Sequence, residues 1–294
     1  MERFLDPSVL ASLSGLDLVA KTVVDGFVSG LHRSPAFGFS QEFAEYRPYT
    51  PGDDLRYVDW NVFARTDRCY LKRYRGETNT LLTVLLDASN SMKYSSHQVS
   101  KMDYARFTAA ALFYLAQTQR DAAGLIVFDD ELRDYIRPST RHGQLYRLLS
   151  GLEHAEARAR TDFAKPIHHF QQLLRRRGIV LVVSDFYESP DRVVRALEPL
   201  SFRGNEVVLF HVLDPNEIRP ELRQPTTLFD LETEETLEVS PEYVQNHYAT
   251  RIDSHIRALR DRAHAAGMDY RLLSTNRPLD GALREYLNIR QGRL

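Results

Sequence analysis

Three oxygen-bearing side chains, Asp87, Ser89 and Ser91, alternate directly after the apolar run Leu81–Leu86. In an extended loop, alternate residues turn toward the same side, so their oxygens can meet at one point. One carboxylate and two hydroxyls make an all-oxygen set. Such a set suits a hard cation: magnesium first, with manganese or calcium as alternatives. The same residue types have a plainer use, because a Ser/Asn/Asp-rich turn after a strand also satisfies local backbone groups.

A cation needs more oxygens than these, and the chain offers two more. Thr161 lies in Arg160-Thr161-Asp162, just before a helical pattern starting at Phe163. Asp185 follows the β-branched run Ile179–Val183. Each has an alternative role: Thr161 or Asp162 as a helix N-cap, and Asp185 as a cap for the helix after Ser189-Pro190.

These residues need a sheet to bring them together. Leu81–Leu86 is short and apolar, as expected of a strand covered on both faces. Beyond it the pattern alternates. Helices are expected over 102–119, 144–152, 163–176, 190–200, 241–266 and 279–287. Strands are expected over 123–128, 178–183, 206–213 and 270–274. Leu132–Ile136 reads as an antiparallel neighbour across an Asp129-Asp130 turn, and Thr227–Val239 as a hairpin insertion. The alternation predicts an α/β fold, a mostly parallel sheet with helices on both faces. In such sheets ligands bind beyond the carboxyl ends of the strands. Right-handed crossovers would bring Asp87, Thr161 and Asp185 to that one edge.

Upstream, residues 7–30 carry apolar residues at helical spacing, ended by Gly30 and Ser34-Pro35. Residues 31–75 are rich in aromatics, Arg and Asp. Pro51-Gly52 fits the centre of a type II turn, and Tyr70–Tyr74 reads as a strand. Asp53, Asp54, Arg56 and Asp59 could bridge to a partner or form local ion pairs, while Tyr57 and Trp60 are expected in the core. The division expected is therefore 1–79, a helical and aromatic-rich extension packed on the main domain, and 80–294, the main domain with a hairpin near 226–240.

The chain has 294 residues, a net charge of −2 and one cysteine, Cys69. Near-neutral charge gives no reason to expect nucleic-acid binding. One cysteine excludes an internal disulfide and a Cys-based zinc cluster. No apolar run reaches the ~18 residues of a membrane span. Met1–Pro7 carries charges and no long apolar region follows, so the expected compartment is the cytoplasm.

In this order, Asp87-x-Ser89-x-Ser91, Thr161 and Asp185 resemble the metal-ion-dependent adhesion site of von Willebrand factor A domains. The resemblance implies a Rossmann-like sheet and a magnesium ion on its upper edge. The serines and often the threonine would contact it, the aspartates would help directly or through water, and a partner's acidic side chain would complete the octahedron. Where many A domains have glycines before the threonine, this chain has Ala159 and Arg160. The block Arg47-Pro48-Tyr49-Thr50-Pro51-Gly52-Asp53-Asp54-Leu55-Arg56-Tyr57-Val58-Asp59-Trp60, with Ala64-Arg65, resembles the bacterial DUF58 family. Members of that family often accompany MoxR-type AAA+ ATPases. The two resemblances together cover roughly residues 30–215. They imply a non-enzymatic, magnesium-dependent protein-binding module, with a MoxR-type ATPase or its client as partner.

Two other readings stand beside this one. A haloacid-dehalogenase-type phosphohydrolase also places an Asp at the end of its first strand, but it needs a second Asp two residues on as general acid. Ser89 holds that place, and a hydroxyl cannot perform the task. The other is a structural module with a vestigial metal site. Neither a nucleophile elbow nor a phosphate-binding P-loop occurs. His168-His169 are neighbours whose side chains would diverge by about 100° on a helix, so a shared metal is not expected. Arg175-Arg176-Arg177 reads as a solvated helix end.

Overall fold

The computed structural model describes residues 6–31, 43–50, 58–74, 80–158, 162–220, 225–229, 236–240, 243 and 248–292. The chain opens with one helical turn, α1 (Pro7–Leu10), and a longer helix, α2 (Leu16–Leu31). The sequence suggests a single helix over 7–30. It is broken instead at Gly15, whose φ of +91° interrupts a right-handed helix and suits a residue without Cβ. Val19, Ala20, Val23, Val24 and Phe27 form the buried face of α2.

Next come β1 (Phe43–Pro48), α3 (Trp60–Thr66) and β2 (Tyr70–Tyr74), with β1 and β2 antiparallel. Asp59 is the N-cap of α3, accepting the Asn61 and Val62 N–H groups at 3.0 and 3.3 Å. Trp60, expected in the core, is 57% exposed and meets Phe63 edge-on. The reason is that α3 buries none of its residues. The Pro51-Gly52 turn, Asp53, Asp54, Arg56 and Tyr57 lie outside the described residues.

The main sheet follows. Its elements are β3 (Leu81–Asp87), a 3-10 turn (Asn90–Lys93), α4 (Lys101–Thr118), β4 (Ala122–Phe128), β5 (Leu132–Ser139), α5 (Gln144–His154), α6 (Ala164–Leu173), β6 (Ile179–Ser184) and α7 (Pro190–Phe202). Then come β7 (Glu206–Leu213), α8 (Pro215–Ile218), β8 (Thr226–Phe229), β9 (Thr236–Val239), α9 (Ala249–Ala265), β10 (Asp269–Ser274) and α10 (Asp280–Gly292). The strand order is β10-β7-β6-β3-β4-β5, parallel throughout except β5, which is antiparallel to β4. β8 and β9 pair as a separate antiparallel ribbon, where the hairpin is expected. Helix α6 stops at Leu173, short of Arg176, because Leu174 turns extended; Arg175–Arg177 are exposed.

Strand periodicity splits the core in two. Leu82, Val84 and Leu86 point to one face, into a cluster shared with α2, α4, α5 and α10. Leu85 points to the other, into a cluster with α6, α7 and α9. β3 therefore lies between β4 and β6 and is buried on both faces. Its carboxyl end cannot shift without disturbing two layers.

Candidate metal centre

Because β3, β4, β6 and β7 are parallel, their carboxyl ends emerge on one edge. The Asp87-to-Asn90 loop is fixed there by backbone bonds: Ala88 N–H donates to the Phe128 carbonyl at 2.7 Å, and Arg158 N–H to the Ala88 carbonyl at 3.0 Å. Asp87 and Ser89 are fully buried, and Ser91 nearly so.

The Asp87 carboxylate is held at both oxygens. Oδ1 accepts the Ser89 N–H at 2.9 Å, and Oδ2 accepts the Ser184 hydroxyl at 2.5 Å. The hydroxyls of Ser89 and Ser91 hydrogen-bond to each other at 3.0 Å. That separation fits a shared ion, since adjacent oxygens of an octahedron with magnesium bonds lie about 2.9–3.0 Å apart. Among the described residues no cluster of three or more His, Cys, Asp or Glu side chains could hold a metal. An ion at this edge would therefore take hydroxyls into its shell.

Burial, followed by the charge of Asp185, pushes the Asp87 carboxyl up to about 7. Two carboxylates thus approach each other in a buried site where positive charge would be welcome. Asp185 is buried but does not cap a helix. Its Oδ2 accepts from the Lys101 ammonium at 2.7 Å, and the same ammonium reaches Glu217 Oε1 at 2.6 Å. Burial lowers the Lys101 pKa, but Asp185 and Glu217 outweigh it and hold it above its ordinary value. Glu217 is raised by burial, against the pull of Lys101.

Behind the site, Phe186 adopts φ +47°, unusual for a bulky residue. Its ring lies against Phe163 and His211 at 5.3 and 5.6 Å. His211 is fully buried, and its pKa is pushed down to about 3 by burial and the neighbouring His255.

Of the expected site residues, Asp87, Ser89, Ser91 and Asp185 come together on this edge. Thr161 lies outside the described residues. Asp162, read as a possible N-cap, stands one residue before that position, which Phe163 holds without a side-chain cap bond, and accepts the Ala164 N–H at 3.0 Å. Three contributors were not anticipated: Ser184, Lys101 and Glu217. Glu217 had a sequence signal, the Asp214-x-x-Glu217 capping box. Lys101 had none, since lysine is almost never fully buried. His168 and His169 are both exposed.

The family model described as "Protein of unknown function DUF58" matches residues 45–262. This chain belongs to that family. An uncharacterized protein of Mycobacterium tuberculosis is 30% identical over 216 residues, 72% of this chain and 68% of the relative. Among solved structures, the conserved hypothetical protein BatB from Bacteroides thetaiotaomicron has TM-score 0.50 at 13% identity, covering 72% of this chain and 98% of that one. An aerotolerance-related membrane protein from Bacteroides fragilis has TM-score 0.51 at 15% identity, covering 71% and 98%. At these identities the two structures share the fold. Among the described residues of this chain, no helix is long and apolar enough to cross a membrane.

Proposed function

We propose that this chain is a non-enzymatic protein-binding module that engages its partner through a divalent cation, magnesium by preference. The observation that carries the reading is the pair of hydroxyls on Ser89 and Ser91, 3.0 Å apart and set beside the buried Asp87 carboxylate. Asp87, Ser89 and Ser91 would hold the ion, with Asp185 acting through water and Thr161 added by the resemblance to the adhesion site. Two neutral hydroxyls and few carboxylates leave a bound ion electrophilic, and magnesium keeps exchangeable waters. A bound ion would supply Lewis acidity toward an incoming carboxylate oxygen. The chain's own task is to orient the hydroxyls and to exclude competing groups.

The partner is then a protein that presents an acidic side chain. Family resemblance favours a MoxR-type AAA+ ATPase or its client, which fits a chain with no phosphate-binding loop of its own. A phosphohydrolase is disfavoured by Ser89, which is buried and bonded to Ser91 where a carboxylic acid would be needed.

Calorimetric titration with magnesium and with the ATPase, with and without EDTA, tests the reading. Ser89→Ala combined with Ser91→Ala should abolish both metal uptake and metal-dependent association while the fold persists. Association equally tight in EDTA and in the double variant would rule out the metal bridge.

A further inference from the structure

Lys101 is the first residue of α4, and its side chain is entirely buried. A buried ammonium is costly unless opposite charge and hydrogen bonds surround it. Here it contacts Asp185 at the end of β6 and Glu217 in α8, at 2.7 and 2.6 Å. The faces of Tyr187 and Tyr94 lie 4.8 and 5.9 Å away. The ammonium therefore joins three elements that meet at the carboxyl edge of the sheet. Its first carboxylate is the one beside Asp87.

The arrangement has a charge consequence. Asp185 is already ion-paired with a cation of the chain itself, one that it shares with Glu217. The other carboxylate that would face a divalent ion, Asp87, accepts the Ser184 hydroxyl and the Ser89 N–H.

We propose that Lys101 is a built-in counter-cation that weakens the hold of this site on a divalent ion, so that firm binding requires the carboxylate of a partner. The proposal rests on the cation-site reading above and adds its regulation. Glu217 modulates the effect. By sharing the ammonium it reduces the positive charge that Asp185 feels, so removing the Glu217 charge should leave Lys101 more fully on Asp185.

The two side chains thus have opposite expected effects, which a merely structural ion pair would not produce. The test is calorimetric titration of the full chain with manganese alone at about pH 8, for the unmodified protein, Lys101→Met and Glu217→Gln. Lys101→Met should bind manganese on the order of tenfold tighter, and Glu217→Gln several-fold weaker. In EDTA, Lys101→Met should melt lower than the unmodified protein, and it should regain more on adding manganese.

Unchanged or weaker affinity in Lys101→Met, with the unmodified protein binding, overturns the proposal and leaves the cation site standing. If Lys101→Met does not fold, Glu217→Gln decides alone, and unchanged or tighter affinity there overturns the proposal. If the unmodified protein takes up no manganese, and the Ser89/Ser91 double variant behaves identically, the cation site itself fails and this proposal fails with it.

Discussion

The Ser184 hydroxyl donates to the Asp87 carboxylate at 2.5 Å, although the two residues stand 97 positions apart in the chain. The contact follows from strand register. β3 and β6 are parallel and pair Leu86 with Val183, so the next residues along, Asp87 and Ser184, emerge side by side. The same hydroxyl accepts the Phe186 N–H at 2.9 Å. Ser184 thus couples the orientation of Asp87 to the strained turn that carries Asp185.

Replacing Ser184 with Ala should remove a hydroxyl donor from a buried carboxylate oxygen. The expected loss is about 1–3 kcal/mol of stability at neutral pH, read by urea denaturation in EDTA. Manganese affinity should fall as well, because Asp87 is no longer held in one orientation. Ser184→Thr keeps the hydroxyl and should recover most of both. Equal denaturation midpoints for Ser184→Ala and the unmodified chain would show that the contact contributes nothing.

The pH dependence of the metal-free protein has a definite sign. Asp87 is raised from 3.8 to about 7, so the fold holds its proton more tightly than the unfolded chain does. The stability linked to this group is full below about pH 4 and is lost as pH rises through 7. For a fully buried group the loss is on the order of 4 kcal/mol. His211, lowered from 6.5 to about 3, acts in the opposite direction: its contribution is full above about 6.5 and is lost as pH falls. The unmodified profile therefore mixes the two. The difference between it and Asp87→Asn isolates the first. In EDTA, Asp87→Asn should gain stability relative to the unmodified chain between pH 5 and pH 8. A difference that stays flat across that range would mean that Asp87 is ionised throughout.

Much of this site was legible because burial and polarity switch at one residue. The run Leu81–Leu86 suits a doubly covered strand, and Asp87-x-Ser89-x-Ser91 follows it without a gap. Asp185 was legible for the same reason at the end of β6. The contact of Lys101 with Glu217 was not, since it depends on α4 and α8 meeting across 116 positions. No local pattern marks a lysine whose ammonium will be fully enclosed. Trp60 misled because aromatic size predicts burial only when an element has a packed face, and α3 has none. The break at Gly15 was hidden by apolar residues that keep helical spacing on both sides of it.

Gly178 precedes β6, where the backbone passes very close to β3. A Cβ placed there would lie 2.3 Å from the Leu81 carbonyl oxygen. Backbone cannot yield as a flexible side chain does, so Gly178→Ala should force the start of β6 away from β3. The expected cost is about 1–3 kcal/mol, measured by thermal or urea unfolding. Gly281, where an added Cβ meets nothing within 4 Å, is the control. Gly281→Ala should be neutral or slightly stabilising, since alanine favours helix. Equal stability of the two variants would contradict the close approach.

The N-terminal helix should be inseparable from the main domain. Leu16, Val19, Ala20, Val23, Val24 and Phe27 of α2 belong to the same buried cluster as Leu82, Val84 and Leu86 of β3. Burying each larger side chain contributes roughly 1.5–3 kcal/mol, offset in part by the entropy of ordering the helix. α2 also meets the last helix, where the Arg284 guanidinium lies over the Phe27 ring at 5.7 Å. A chain starting at residue 32 would expose the α4 surface that α2 covers, including the helix that begins with Lys101. It should melt well below the full chain, bind a hydrophobic dye and lose solubility. Phe27→Ala in the full chain should cost about 3–5 kcal/mol by itself. A soluble truncated chain with an unchanged melting temperature would show instead that α2 is an appendage and that the core is complete without it.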